Sequence, residues 1–382
     1  MKSILIISPV PTHPTTEGNQ VCILSYTNML KETGHDVYFL LIAEGGFRAA
    51  KEEYTECFRY WGNKMFLYRT NFFSNIFVSN ILFRLYRTVF KCTGYYRLDS
   101  FYPWGIRKYL KKIQHEKQFD AVIVNYVFLS RIFKNLKNVK KILYTHDVFS
   151  NKYQHTNQTW FSLTPCNEAK GLNRADVILS IQENESIYYS YLTRKKIFTV
   201  YTFFSIQPTP LVRGKNILYL SGSNSYNVES ITFFLKEVFS DLEMAYPDLK
   251  LLIGGSICDK IKHLVEDKKN IEIQGYVSDV FQFYSQADIC INPTYRGTGL
   301  KIKTFEALSF GKILVAHPHS LAGIYAKEKT PIFLAETKEE YMKQFEYLFN
   351  NMDSWEKLKQ DSIEYMFLFQ NFVKSQFEKA IM

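Results

Sequence analysis

The 382-residue chain has no long hydrophobic run, no Cys-x-x-Cys pair and no dinucleotide-binding glycine signature. No apolar stretch approaches the ~20 residues a helix needs to cross a bilayer. The apolar start, residues 3–8, is too short for the core of a secretion signal and runs into Pro9-Val-Pro11. It reads as a first strand, and the chain is expected in the cytoplasm. Six cysteines stand at 22, 57, 92, 166, 258 and 290, with no Cys/His spacing that fits a metal. That usage belongs to a reducing compartment. Residues 9–18, the turn after the first strand, lack Gly-x-Gly-x-x-Gly, which argues against an oxidoreductase built on a bound dinucleotide. Acidic charge is scarce in one half only. Residues 1–205 hold 27 Lys+Arg against 15 Asp+Glu, whereas residues 206–382 hold 20 against 22. The net charge of +10 thus comes entirely from the first half, the pattern of a surface that faces an anionic partner.

The length exceeds what one hydrophobic core sustains, so two domains are the default. Hydrophobic residues at 46% and charged residues at 22% exclude wholesale disorder. Short apolar runs alternate with helical patterns along the chain. After the first strand comes a loop with Pro11, Pro14 and Gly18. Val21, Leu24, Thr27 and Leu30 then recur at helical spacing up to Gly34, and residues 37–43 form a second strand. Further strands are expected at 121–125, 141–145, 177–181 and 198–202, then at 217–221, 249–254, 270–274, 289–292 and 312–316. Helices such as 228–245 and 303–310 separate them. Repeated β-α-β units mean a parallel sheet flanked by helices. The expected fold class is therefore α/β, with two doubly wound, Rossmann-like domains facing across a ligand-binding cleft. They are assigned to residues 1–204 and to 205–382, the second with C-terminal helices. The seam falls in the polar, proline-bearing stretch 205–214.

The densest chemistry lies in Asn292-Pro-Thr-Tyr-Arg-Gly-Thr-Gly-Leu-Lys-Ile-Lys-Thr-Phe-Glu306. A strand ends at Pro293, and the turn Gly297-Thr298-Gly299-Leu300 leads into a helix. Glycine lets backbone N–H groups close on a ligand, and a helix N-terminus favours an anion such as a diphosphate. Lys301 and Lys303 bring cationic donors to the same spot. Glu306, further into the helix, offers a carboxylate to the vicinal hydroxyls of a sugar. A phosphate binder beside a hydroxyl acceptor suits a nucleotide-sugar; the competing reading of Lys and Glu at this spacing is a solvated helix face. His146 and Asp147 follow the apolar run 142–145 at the end of a strand, where doubly wound sheets hold ligands. A lone histidine there is otherwise a structural residue. His317 and His319, on either side of Pro318, receive no role.

These residues resemble the retaining glycosyltransferases of the GT-B fold, the group 1 glycosyl transferases that build polysaccharides and glycolipids. The resemblance rests on Ala287-Asp-Ile-Cys-Ile-Asn-Pro293, on the run from Gly297 to Leu308 and on Gly311-Lys-Ile-Leu-Val-Ala. It extends to Ser221-Gly-Ser-Asn-Ser-Tyr-Asn227, similar to the first turn and helix of a donor domain. Gly275-Tyr-Val-Ser-Asp279 is similar to the segment beside the nucleotide base. In the first half, Gly18-Asn-Gln20, Gly34-His-Asp-Val37 and Tyr144-Thr-His-Asp147 fall where the acceptor domain has its glycine loop and strand-end histidine. Glu168 with Asn173-Arg-Ala-Asp176 precedes its later strands.

The resemblance implies transfer of a sugar from a nucleoside-diphosphate sugar to a glycan or lipid-linked acceptor. It gives Glu306 the donor ribose, and Gly297, Thr298, Gly299 and Leu300 the diphosphate. Gly18, Ser223, Asn224 and Tyr276 complete the donor side. Lys301 and Lys303 would neutralise charge developing on the leaving nucleotide. His146 would position the sugar or acceptor, and Asn19, Gln20 and Asp147 would meet the acceptor. No Asp-x-Asp occurs in the sequence, the motif by which metal-dependent, single-domain glycosyltransferases hold a divalent ion. No metal, and no cofactor besides the nucleotide-sugar co-substrate, is expected.

Two positions depart from the family pattern. Many relatives carry Glu–seven residues–Glu, but Thr298 stands eight before Glu306. The Arg and Lys that relatives carry early in the donor domain are absent from 221–227. A catalytically silent GT-B-like protein and a sugar-nucleotide epimerase are therefore the alternatives. Residues 58–117 carry twelve Lys/Arg against Asp99 and Glu116, interleaved with aromatics such as Trp61, Phe72, Phe73, Tyr95, Tyr96 and Trp104. No nucleic-acid motif accompanies the stretch. Its expected partner is an anionic membrane surface, with the protein peripheral on the inner face; the plainer reading is that long side chains cover a domain core.

Overall fold

The computed structural model describes residues 1–15, 18–43, 54–69, 95–103, 105–152, 161–297 and 300–382. Two compact units share the chain: residues 1–203 with 373–382, and residues 204–372. The division falls between residues 203 and 204, and the last ten residues belong with unit 1.

Unit 1 is built on a seven-stranded sheet in the order β3-β2-β1-β4-β5-β6-β7. Its strands are β1 (Ser3–Ser8), β2 (Asp36–Ala43), β3 (Met65–Arg69), β4 (Ala121–Asn125), β5 (Lys140–Tyr144), β6 (Val177–Ser180) and β7 (Lys196–Thr199). Every neighbouring pair is parallel. The central strand β4 is buried at every position, as a strand covered by helices on both faces must be. Helix α1 (Gly18–Glu32) turns Cys22, Ile23, Tyr26, Met29 and Leu30 inward. It stops at Gly34, whose φ of 83° is a conformation glycine adopts without strain. Among the described residues, unit 1 also has the α-helices α2 (Thr55–Trp61), α3 (Ile106–Glu116), α4 (Pro165–Leu172) and α5 (Glu183–Leu192).

Unit 2 carries a six-stranded sheet in the order β10-β9-β8-β11-β12-β13. These are β8 (Asn216–Leu220), β9 (Lys250–Gly254), β10 (Ile271–Gly275), β11 (Ile289–Asn292), β12 (Ile313–Ala316) and β13 (Ile332–Leu334), all paired in parallel. Its α-helices are α6 (Ser225–Phe233), α7 (Ser240–Ala245), α8 (Ile257–Val265), α9 (Val280–Tyr284), α10 (Ile302–Ser309), α11 (Lys338–Asn350) and the larger part of α12 (Trp355–Ile381), whose residues from 373 onward belong to unit 1. The proline-bearing stretch after residue 204 is tied to this unit. Buried Asp288 accepts the Val212 and Arg213 N–H groups at 3.0 and 2.8 Å and pairs with Lys359 at 2.5 Å. Among the described residues, no helix is long and apolar enough to cross a membrane.

Two strands escape the sequence reading, β3 and β13, and β7 begins two residues earlier than expected. All three sit at or form a sheet edge or close one end of it, where burial is partial. An edge strand needs no continuous apolar run, so its pattern is weak.

Candidate active site

In unit 2 the strand order reverses between β8 and β11, the switch point at which doubly wound sheets bind ligands beyond their strand ends. Ser221 follows β8, and Thr294 follows β11 by two residues. Gly255, at φ 94°, lets the neighbouring chain pass so close that a Cβ would lie 2.2 Å from the Ser221 carbonyl oxygen, so only glycine fits. Asn224 caps α6, its Oδ1 accepting the Asn227 N–H at 2.9 Å.

Lys303 enters this switch point from the first turn of α10. The helix begins at Ile302, with Lys301 as its cap residue. That phase turns the half-buried Lys303 toward the strand ends rather than straight into solvent. Its Nζ donates to Asn227 Oδ1 at 2.6 Å and to Ser221 Oγ and Thr294 Oγ1 at 3.2 Å each. Burial is the main cause that lowers its pKa to about 7, with a further push from Lys301 and a smaller opposing pull from Glu306. Asn227 Nδ2 in turn donates to the Gly222 carbonyl at 2.9 Å, which fixes the amide that meets the ammonium.

Lys301 is 8% exposed and donates to the Gly297 carbonyl at 3.0 Å; burial lowers its pKa. Gly297 holds φ 120°, and a Cβ there would come within 3.2 Å of the Tyr226 ring. Glu306 shares a helix face with Lys303. Its Oε2 accepts the Tyr284 hydroxyl at 3.2 Å. Burial raises its pKa, against the opposing effects of Tyr284 and Lys303. Lys301, Lys303, Glu306 and Gly297 are thus brought together by α10 and the turn before it.

The other donor-side candidates are less engaged. The Ser223 N–H donates to Ser256 Oγ at 3.1 Å, Asn224 is occupied as a cap, and Tyr276 is 83% exposed beside Gly275. Leu300 is half-buried. Thr298 and Gly299 lie outside the described residues. Gly18 is in unit 1, where it opens α1. Sequence reasoning assigned no role to Ser221, Asn227, Thr294 or Tyr284. Ser221 and Thr294 stand just past strand ends, and that position was the available signal; Asn227 lies within α6 and Tyr284 ends α9.

In unit 1, His146 follows β5 at φ 62°, a strained conformation for a non-glycine residue and one that concentrates at functional sites. Its ring lies 4.3 Å from that of Tyr144 and 4.7 Å from that of Tyr126. Nε2 meets Asn125 Oδ1 at 2.6 Å, and the same oxygen accepts the Tyr26 hydroxyl at 3.0 Å. Burial lowers the His146 pKa to about 3, so the ring is neutral and offers position rather than basicity. Asp147 pairs with Lys152. Asn19 Oδ1 accepts the Gln20 N–H at 2.7 Å, and Gln20 is buried. Glu168 accepts the Phe149 and Ser150 N–H groups at 2.9 and 2.8 Å, a clamp on the loop after Asp147. Nearby Glu185 is 4% exposed, and burial followed by the Asp147 charge pushes its pKa up to about 8. Among the described residues, no group of three or more His, Cys, Asp or Glu is placed to hold a metal ion.

Residues 214–351 match the family model described as glycosyl transferases group 1. A comparison with curated proteins finds no match. Solved structures similar over the whole chain include TarM, at 13% identity and TM-score 0.69, covering 100% of this chain and 99% of that one. HepE of Anabaena in complex with UDP aligns at 12% identity and TM-score 0.68, with 100% and 99% covered. The pneumococcal O-GlcNAc transferase GtfA in complex with UDP and GlcNAc aligns at 10% and 0.65, with 100% and 98% covered. At these identities the likeness is one of fold, and it agrees with the two parallel-sheet units. The chain has the GT-B fold, and its residues 214–351 match the model of the group 1 glycosyl transferases.

Proposed function

We propose that this protein transfers a hexose-type sugar from a nucleoside-diphosphate sugar to a hydroxyl of a glycan or lipid-linked glycan, with retention at the anomeric carbon. The carrying observation is Lys303, whose ammonium is enclosed by three neutral oxygens at the switch point and is one helical turn from Glu306. A desolvated cation without a carboxylate among those partners is matched to an incoming anion. The family match and the UDP bound in the structures of HepE, GtfA and S. aureus TarM support a uridine donor. That TarM structure also holds fondaparinux and α-GlcNAc-glycerol, in keeping with a glycan-type acceptor. Departure of the nucleotide builds negative charge on the diphosphate, and preorganised ammonium groups act on that charge in the transition state. His146, held neutral, orients a substrate group. The test is nucleotide release from UDP-, GDP- and dTDP-sugars with and without acceptor. Binding without release favours a silent protein, and sugar interconversion without release favours an epimerase.

The pKa of Lys303 makes donor binding pH-dependent. At about 7 in the free protein, the amine is partly deprotonated at neutral pH. A diphosphate favours the ammonium and raises that pKa, so binding takes up protons and affinity falls as pH climbs above 7. Calorimetry of UDP in buffers of different ionisation enthalpy is expected to show uptake of roughly half a proton at pH 7. No uptake would remove Lys303 from the phosphate.

The membrane reading rests on α3. Its Ile106, Leu110 and Ile113 are buried within unit 1, which leaves Arg107, Lys108, Lys111 and Lys112 exposed. Attachment through this helix is therefore electrostatic, without apolar insertion. Residues 70–94 and Trp104 of the basic stretch lie outside the described residues. Each basic residue near an anionic leaflet contributes about 1 kcal/mol, and screening tightens from ~10 Å at 0.1 M salt to ~3 Å at 1 M. Co-sedimentation with phosphatidylserine vesicles is expected at low salt, lost at 1 M salt and lost on changing Lys108, Lys111 and Lys112 to Glu. Binding indifferent to those reversals would overturn it.

A further inference from the structure

We infer that His319 is a positioning residue of the donor turn: it holds the Gly297 carbonyl in place when Lys301 leaves that carbonyl for the diphosphate. The inference rests on the donor reading given above and extends it to a residue to which the sequence analysis assigned no role.

Two side chains converge on one backbone oxygen. Lys301 Nζ donates to the Gly297 carbonyl at 3.0 Å, and His319 Nε2 lies 2.9 Å from the same oxygen. A carbonyl accepts and never donates, so the His319 proton sits on Nε2. Two donors fill both lone pairs of that oxygen. Burial and the neighbouring Lys301 lower the His319 pKa, which keeps the ring neutral beside the ammonium.

The histidine is itself fixed at its other end. Its backbone N–H donates to His317 Nδ1 at 3.0 Å. The His317 N–H donates to the Asn292 carbonyl at 3.0 Å, and Ser320 Oγ donates to the same carbonyl at 3.1 Å. Asn292 closes β11, the strand from which the donor turn departs. The short turn Pro318–Leu321 is therefore anchored at the base of the donor loop and reaches Gly297 five residues along it. Gly297 adopts φ 120° against the Tyr226 ring, so its peptide depends on outside partners for its orientation. If Lys301 swings to a phosphate, it gives up its bond to Gly297, and His319 then retains the carbonyl. A preorganised turn costs less to order when the ligand arrives.

The experiment compares His319→Ala, His319→Phe and His319→Gln in the full chain, by UDP calorimetry, by donor KM and kcat, and by thermal melting. Ala and Phe each remove the N–H, and each is expected to raise UDP Kd and donor KM about tenfold, with a smaller change in kcat. Gln restores a side-chain N–H donor and is expected to return within about threefold of the parent protein. Ring packing alone predicts the reverse order, with Phe tolerated and Gln impaired, and that result would overturn the inference. So would UDP affinities unchanged in Ala and Phe. Should the Ala variant fail to fold, the Phe and Gln pair decides. Parent protein that binds UDP while all three variants bind equally well loses this inference alone; parent protein that binds no nucleoside diphosphate loses the donor reading with it.

Discussion

Replacing Lys303 by Met is expected to lower kcat for sugar transfer by roughly 10²–10³-fold, while donor KM changes by less than about tenfold. The substitution keeps most of the side-chain length and removes the charge. In the free protein the ammonium already has Asn227, Ser221 and Thr294 as partners, so the ground state is not starved of hydrogen bonds. On the proposed reaction its distinct contribution comes as the nucleotide departs and the diphosphate gains charge. An interaction stronger in the transition state than in the ground state appears in kcat, whereas one made equally in both appears in KM. Lys303→Arg is expected to rescue poorly, because a planar guanidinium does not fit three oxygens arranged around a compact ammonium. Lys301→Met is expected to act more on KM, since its Nζ rests on the Gly297 carbonyl and must move to reach a ligand. Steady-state kinetics with a UDP-sugar, once the transferred sugar is identified, separates the two. A Lys303 effect confined to KM would make that residue a ground-state binder.

Much of the fold was legible because buried parallel strands read as uninterrupted apolar runs. Residues 121–125 were named as a strand and form β4 at those bounds, fully buried. Met65–Arg69 was not named, since the five residues lie in a basic, aromatic stretch and form an edge strand. The three residues of β13 are too few for any period to show. The end of the second unit was illegible for another reason. Helix α12 runs unbroken from Trp355 to Ile381, and nothing in its pattern marks where its neighbours change from one unit to the other. There Phe377 stacks on Tyr26 at 5.5 Å, and Lys2 Nζ donates to the Ile381 carbonyl at 2.8 Å. Such partners are set by long-range packing.

The site divides the same way. Gly297, Lys301, Lys303 and Glu306 lie within ten residues and could be read as one local pattern. The direction of Lys303 could not, because it depends on where α10 starts, and helix starts shift by a residue or two. Its partners come from after β8, from α6 and from after β11. Those residues, Ser221, Asn227 and Thr294, are common polar types with no local signature. Tyr284 reaches Glu306 from α9 across 22 positions, and His319 reaches Gly297 from the turn after β12 across 22 as well. Polar partners chosen by topology leave little trace in a single sequence.

Removing the Glu306 carboxylate is expected to weaken UDP binding by about ten- to a hundredfold and to abolish discrimination between ribose and deoxyribose. A hydrogen bond to a charged group is worth roughly 1.5–3 kcal/mol, which sets that range. The Tyr284 hydroxyl already donates to Oε2 at 3.2 Å, which steadies the carboxylate and leaves Oε1 to meet a ribose hydroxyl. Burial raises the Glu306 pKa, and the Lys303 charge and the Tyr284 bond oppose that rise. The carboxylate is thus linked to the same ammonium that we propose faces the diphosphate, and losing Lys303 is expected to raise the Glu306 pKa further. Glu306→Ala, Glu306→Gln and the parent protein, each titrated with UDP and with 2′-deoxy-UDP, form a cycle that isolates the contact. In the parent protein UDP is expected to bind more tightly than the deoxy analogue; in Glu306→Ala the two are expected to converge, with Gln intermediate. Thermal melting checks that the fold persists. Equal losses for both ligands would place Glu306 in the support of the turn rather than on the sugar, and unchanged UDP affinity would remove it from the donor site.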